Sequence, residues 1–187
     1  MLKDVAKGDK EVAITAKIGV GDQMAPIENA NDVNTEKKVT IEHKQGQVIL
    51  YDLWATWCPP CQRPMAHNQE MLTSKKATWG DKVRIVGLSI DSAVPVVKAH
   101  VEKNKWAAIE HYHVRNGECT ASETYGSGGV PHVWLVDTQG KIVFMGHPAT
   151  RKLEEDIDNL LAGNAITGEG TGAAAEEKGE VSKGKED

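Results

Sequence analysis

With 187 residues, 40% of them hydrophobic and 26% charged, the chain has material for one sizeable core and a composition unlike that of disordered or fibrous proteins. Its apolar runs are short: residues 48–51 are closed by Asp52, far below the roughly 20 residues that span a bilayer, so no membrane segment is expected. A net charge of −5 with no Lys/Arg cluster argues against nucleic acid as a partner, and three cysteines are too few and odd in number for a secreted disulfide scaffold.

In chain order, residues 1–18 read as an N-terminal extension. Lys3, Asp4 and Lys7 stand where a secretory signal needs its apolar stretch, so no export signal is expected and cytoplasmic residence is the default. Residues 11–16 alternate weakly and suit an edge strand. A single domain is predicted over 19–163. Within it, residues 47–53 form a short apolar run of the kind buried on both faces of a sheet, and a helix should follow the cysteines that come next. Residues 83–90 predict a second buried strand. Ser92 then serves as the cap of a helix with Pro95 in its first turn and Val97 and Val101 one turn apart. Residues 132–136 and 141–145 flank Asp137-Thr138-Gln139-Gly140 and predict an antiparallel hairpin. Leu153, Ile157, Leu160 and Leu161 form one helical stripe that ends near Gly163. From 164 to 187 the chain is rich in Gly, Ala, Glu and Lys, with six acids and three lysines, and a disordered tail is expected. The pattern is α/β, a central mixed sheet with helices on both faces.

The chemistry concentrates in Trp54-Ala55-Thr56-Trp57-Cys58-Pro59-Pro60-Cys61, between a buried strand and a predicted helix. A thiol at a helix N-terminus meets the positive end of the helix dipole, which favours the thiolate, so Cys58 is expected to be the reactive sulfur. Cys61, one turn on, is expected to be more buried and placed to resolve a mixed disulfide on Cys58. Pro59 and Pro60 stiffen the link and withhold two N–H donors. The alternative is half of a tetrahedral zinc site, with His111, His113 and Cys119 as conceivable further donors. No second Cys-X-X-Cys or finger-spaced His pair stands beside them, so no metal and no organic cofactor is expected. Trp54 is expected in the core, and Trp57 at the surface as an apolar contact for partners.

These residues resemble the thioredoxin superfamily, in particular its TlpA-like and nucleoredoxin/tryparedoxin-like branches. The resemblance covers roughly residues 19–163, through Gly21-Asp22, Ala25-Pro26, residues 47–61, Gly87 to Asp91, Gly129-Val130-Pro131 and residues 133–145 with Asp137 and Gly140. It implies a thioredoxin fold and a thiol-disulfide oxidoreductase concerned with cell redox homeostasis, with Cys58 as nucleophile and Cys61 as resolving cysteine. Asp52 matches the buried acid that handles the resolving thiol's proton; burial would raise its pKa, whereas a partly exposed strand-end aspartate would do nothing of the kind. Val130-Pro131 matches the cis-proline that leaves the preceding backbone open to a substrate strand. Gly128-Gly129 then serve either close approach or loop packing, and His132 either borders the site or is an ordinary sheet histidine. The implied partners are protein or small-molecule disulfides and an unidentified electron-donating reductase or thiol, with the chain acting as a monomer.

Three features depart from the pattern. Gly87 stands where many thioredoxins carry a lysine near the buried acid, Pro64 lies closer to Cys61 than usual, and Cys119 has no family role. A peroxiredoxin is the rival enzyme, but Tyr51 and Ala55 occupy the positions of its Pro and Thr. A thioredoxin-like adaptor is the non-enzymatic rival.

Overall fold

The computed structural model describes residues 18–120 and 129–166. The expected edge strand at 11–16, nearly all of the predicted tail and Gly128 lie outside them. Seven strands form one sheet: β1 (Ile27–Asp32), β2 (Lys38–Ile41), β3 (Val48–Trp54), β4 (Val83–Ser89), β5 (Glu110–His113), β6 (His132–Val136) and β7 (Ile142–Gly146). Their spatial order is β2-β1-β5-β4-β3-β6-β7. β3, β4 and β5 run parallel, and every other neighbouring pair is antiparallel.

Among the described residues the α-helices are α1 (Pro59–Ser74), the single turn α2 (Lys76–Trp79), α3 (Val94–Asn104) and α4 (Leu153–Leu161). Among the described residues, none is long and apolar enough to cross a membrane. The crossovers β3-α1-β4 and β4-α3-β5 both step the same way across the sheet. Right-handed connections in one direction put their helices on one face, and α1, α3 and α4 indeed share a core cluster with Val48, Leu50, Trp54, Val83 and Ile85. Ile49, Tyr51, Val86, Leu88, Trp134 and Val136 point to the other face, into a second cluster with Met24, Val114 and Cys119.

β3 is buried along almost its whole length because it lies between β4 and β6 and is covered on both faces. Alternation therefore decides where each side chain goes. Leu50, Asp52 and Trp54 share the face under α1, so the one acid of the strand is directed at the helix that carries the cysteines.

The predicted hairpin is β6-β7, and the terminal helix is α4, with Gly163 at φ 80° just beyond its end. Three acids in the first turn of α4 suit its dipole. One of them, Asp156, is also held by Arg151 through two bonds, Nε to Oδ2 at 2.6 Å and Nη2 to Oδ1 at 2.7 Å. One expectation fails: α3 is capped at Ala93, not Ser92, and no side chain caps it. Pro95 does lie in its first turn, and since a proline fits only there, it sets the start one residue later than the serine suggested. α1 continues unbroken through Pro64.

Candidate active site

Cys58 is the N-cap of α1, in extended backbone (φ −99°, ψ 101°), and Pro59 and Pro60 open the helix where their missing N–H groups leave no bond unmade. Cys58 and Cys61 are joined in a disulfide, S–S 2.04 Å and Cα–Cα 5.4 Å. Both are buried, Cys61 completely and Cys58 at 4% exposure. The Cys61 N–H donates to the Cys58 carbonyl at 3.1 Å, and the Cys58 N–H to the Ala55 carbonyl at 3.2 Å, so the pair closes a tight corner between strand and helix.

That corner is braced from two sides by residues the sequence did not single out. Asp91, just past β4, accepts from the Thr56 N–H at 3.0 Å and 3.2 Å, from the Thr56 hydroxyl at 2.5 Å and from the Ser89 hydroxyl at 2.7 Å. The Gln62 amide nitrogen lies 3.0 Å from the Cys58 carbonyl and 3.2 Å from that of Ala55. Its oxygen can only accept, so His100 Nε2, at 2.6 Å, is the donor. His100 packs against Trp54 and Trp106 with ring centroids 5.8 and 5.4 Å apart, and burial lowers its pKa.

Asp52 is 1% exposed. Burial raises its pKa to about 7, opposed by one hydrogen bond, from Asn68 Nδ2 to Oδ2 at 2.8 Å. Oδ1 has no partner among the described residues. In the β3-β4 register Gly87 sits beside Asp52. A Cβ there would stand 3.1 Å from Trp54 Nε1, 3.1 Å from His111 Nδ1 and 3.2 Å from Met65 Cε, so the position has no room for a lysine. The carboxyl is paired instead by an amide from α1.

The other expected site residues divide clearly. Trp54 is fully buried, and Trp57, next to Cys58, is 60% exposed, the largest exposed aromatic among the described residues. The Val130-Pro131 bond is cis. β6 pairs with β3 through Leu53 and His132, so continuing that register sets Pro131 opposite Trp54, at the end of β3 that leads to the cysteines. His132 is half-buried with its ring 4.9 Å from that of Trp134, and burial, then His147, lowers its pKa. His111 and His113 bond the backbone carbonyls of Trp106 and Asp91 at 2.9 and 2.8 Å. Desolvation lowers the His111 pKa to about 4. Cys119 is buried on the opposite face of the sheet, with its N–H donating to Asn116 at 2.8 Å.

Asn68, Gln62 and Asp91 were missed because each acts through a fold contact and not through a motif. Only Asn68 left a signal in the sequence: it is a polar residue seven positions after Cys61, on the inner stripe of α1 with Met65 and Met71.

The site is thus a cysteine pair closed at a strand-to-helix corner, with a buried acid on the same strand and a cis-proline at the same end of the sheet. The chain belongs to the thioredoxin-like family, whose pattern matches residues 46–142. Thiol-disulfide oxidoreductase ResA of Bacillus anthracis is 28% identical over 120 residues, 63% of this chain and 66% of that protein. The chain thus spans just under two thirds of that relative's length. Thiol:disulfide interchange protein DsbE of Haemophilus influenzae is 27% identical over 144 residues, 75% of this chain and 72% of that one. The crystal structure of the thioredoxin domain of a thiol-disulfide oxidoreductase from Bacteroides vulgatus shares the fold, with a TM-score of 0.55 and 22% identity over 69% of this chain and 89% of that one.

Proposed function

We propose that this chain is a thiol-disulfide oxidoreductase that reduces protein or small-molecule disulfides through Cys58 and Cys61, with Asp52 as proton acceptor for Cys61. The reading is carried by the Cys58–Cys61 pair closed across the first turn of α1, over the strand face that holds a buried carboxyl. In the reduced protein the Cys58 thiolate attacks one substrate sulfur. The substrate S–S bond breaks, a mixed disulfide forms on Cys58, and the first substrate sulfur leaves as a thiolate that takes a proton from water. Cys61 then passes its proton to Asp52 and attacks Cys58 Sγ. The bond from Cys58 to the substrate breaks, the second substrate thiolate departs, and the Cys58–Cys61 disulfide is restored. Two electrons have moved from the dithiol to the substrate, and an external thiol or reductase must return them.

Each part has physical support. Cys58 caps a 16-residue helix, whose dipole favours a negative sulfur. A carboxyl with a pKa of about 7 is populated in both forms near neutrality, which suits a group that must take up and return one proton. Trp57 offers apolar surface beside the nucleophile, and the Val130 backbone, ahead of the cis-proline, would pair with an extended substrate segment.

The test is to mix Cys61→Ser with insulin and look for a covalent adduct. A stable adduct on Cys58 that added dithiol releases is expected. A folded Cys61→Ser that forms none, while wild type reduces insulin, would overturn the assignment of roles.

A further inference from the structure

Most of the polar groups buried around the site have settled partners. The Asp91 carboxylate is saturated, and the Gln62 amide is spread over the corner's carbonyls and His100. Among the described residues Trp54 Nε1 and His111 Nδ1, which flank Gly87, have no partner, and at Asp52 the two oxygens are treated unequally. Oδ2 accepts from Asn68, and Oδ1 is buried with no partner among the described residues.

We infer that Asn68 is the positioning residue of the proton acceptor: it holds Asp52 Oδ2 as an acceptor, so that the proton taken from Cys61 is carried on Oδ1. This rests on the reading of Asp52 given above. An Asn amide nitrogen can only donate, and in a protonated carboxyl the carbonyl oxygen accepts better than the hydroxyl oxygen. The Asn68 bond therefore selects Oδ2 as the carbonyl. A buried oxygen left without a partner calls for a reason, and the Cys61 thiol, which does not exist in the disulfide form, supplies one. The same bond stabilises the ionised carboxyl against the desolvation that disfavours it.

The elements packed against Asp52 bring few competing charges. The buried residues of α1 are Cys61, Met65, Asn68 and Met71, of which Asn68 bonds Asp52, and β6 places Val133 beside it. β4 places Gly87, and across it on β5 stands His111, uncharged above about pH 4. On α4 the acid Asp156 is tied to Arg151. Asn68 also lines a groove of about 1040 Å³ between α1 and the start of α4, bordered by Pro60, Arg63, His147 and Pro148, while being itself only 2% exposed. It thus separates the carboxyl from the groove as well as pairing it.

The experiment follows thiolate release by stopped flow when the reduced full-length chain meets excess 5,5′-dithiobis(2-nitrobenzoate), from pH 5 to 9. The second release reports attack by Cys61 on the mixed disulfide. Asn68→Leu keeps the branched outline of the side chain, in a somewhat larger volume, and removes the donor. Losing a hydrogen bond to a charged group should move the inflection of that second phase up by about one to two pH units. Asp52→Asn should abolish the inflection. If Asp52→Asn abolishes it and Asn68→Leu leaves it in place, Asn68 only fills space and the inference is wrong, with the role of Asp52 intact. If the inflection survives Asp52→Asn, the reading of Asp52 itself fails and the inference with it. Should Asn68→Leu not fold, the infrared difference between wild type and Asp52→Asn at pH 5 decides. A carboxyl C=O band shifted by one accepted hydrogen bond supports the assignment, and a free C=O band overturns it.

Discussion

Asp52→Asn isolates what burial of this carboxyl costs the fold. The side chain is 1% exposed, and the amide keeps its shape and an oxygen able to accept the Asn68 bond. In the folded protein the Asp52 pKa is about 7, and its ordinary value is 3.8. The folded value is the higher one, so folding favours the protonated form. The stability this contributes is complete below about pH 4 and is lost as pH rises to about 7. At about 1.4 kcal/mol per unit of pKa difference, wild type should lose about 4 kcal/mol of stability between pH 3 and pH 8 through this one group. The asparagine variant carries no such charge and should not show the loss. Urea unfolding of the oxidised proteins, in which neither active-site thiol titrates, reads the difference directly. The variant's advantage should grow by about 4 kcal/mol from pH 3 to pH 8, most of it between pH 4 and 7. Parallel stability-pH curves would refute the argument, because they would mean that Asp52 titrates alike in folded and unfolded chains.

Two further substitutions probe the surroundings. Trp57→Ala removes an exposed ring, so thermal unfolding should change by no more than about 0.5 kcal/mol. The KM for a protein disulfide should nonetheless rise several-fold with kcat little changed, and an unaltered KM would remove Trp57 from substrate recognition. Gly87→Ala forces a Cβ to within 3.1 Å of two rings held in the core. It should cost about 1–3 kcal/mol in chemical denaturation, and a neutral result would show that this packing can give way.

The parts of the fold that the sequence made legible are those whose pattern follows from burial alone. β3 and β4 are apolar runs because both their faces are covered, and the β6-β7 hairpin and α4 follow from a turn and a stripe. β1, β2 and β5 were not anticipated. β1 carries Glu28, Asn29, Asn31 and Asp32, and β5 reads Glu-His-Tyr-His, patterns that lack apolar alternation. β5 is nevertheless an inner strand. Its two histidines can be buried because backbone carbonyls of Trp106 and Asp91 receive their ring nitrogens, a pairing that exists only after the chain has folded. The site divides in the same way. The cysteine pair and Asp52 are readable because their chemistry depends on residue type and on place along one strand. Asn68 acts across the gap between α1 and β3, and Asp91 across the ends of two strands, so their roles belong to tertiary structure.

The central claim is that Cys58 carries catalytic disulfide reduction, and the direct measurement is turnover of insulin disulfides with dithiothreitol as reductant, comparing wild type with Cys58→Ser. Wild type should accelerate the precipitation of the reduced insulin chains catalytically. Cys58→Ser, folded as judged by its unfolding transition, should fall to the rate of dithiothreitol alone. Activity that survives Cys58→Ser, or a wild type no faster than dithiothreitol, would contradict the account.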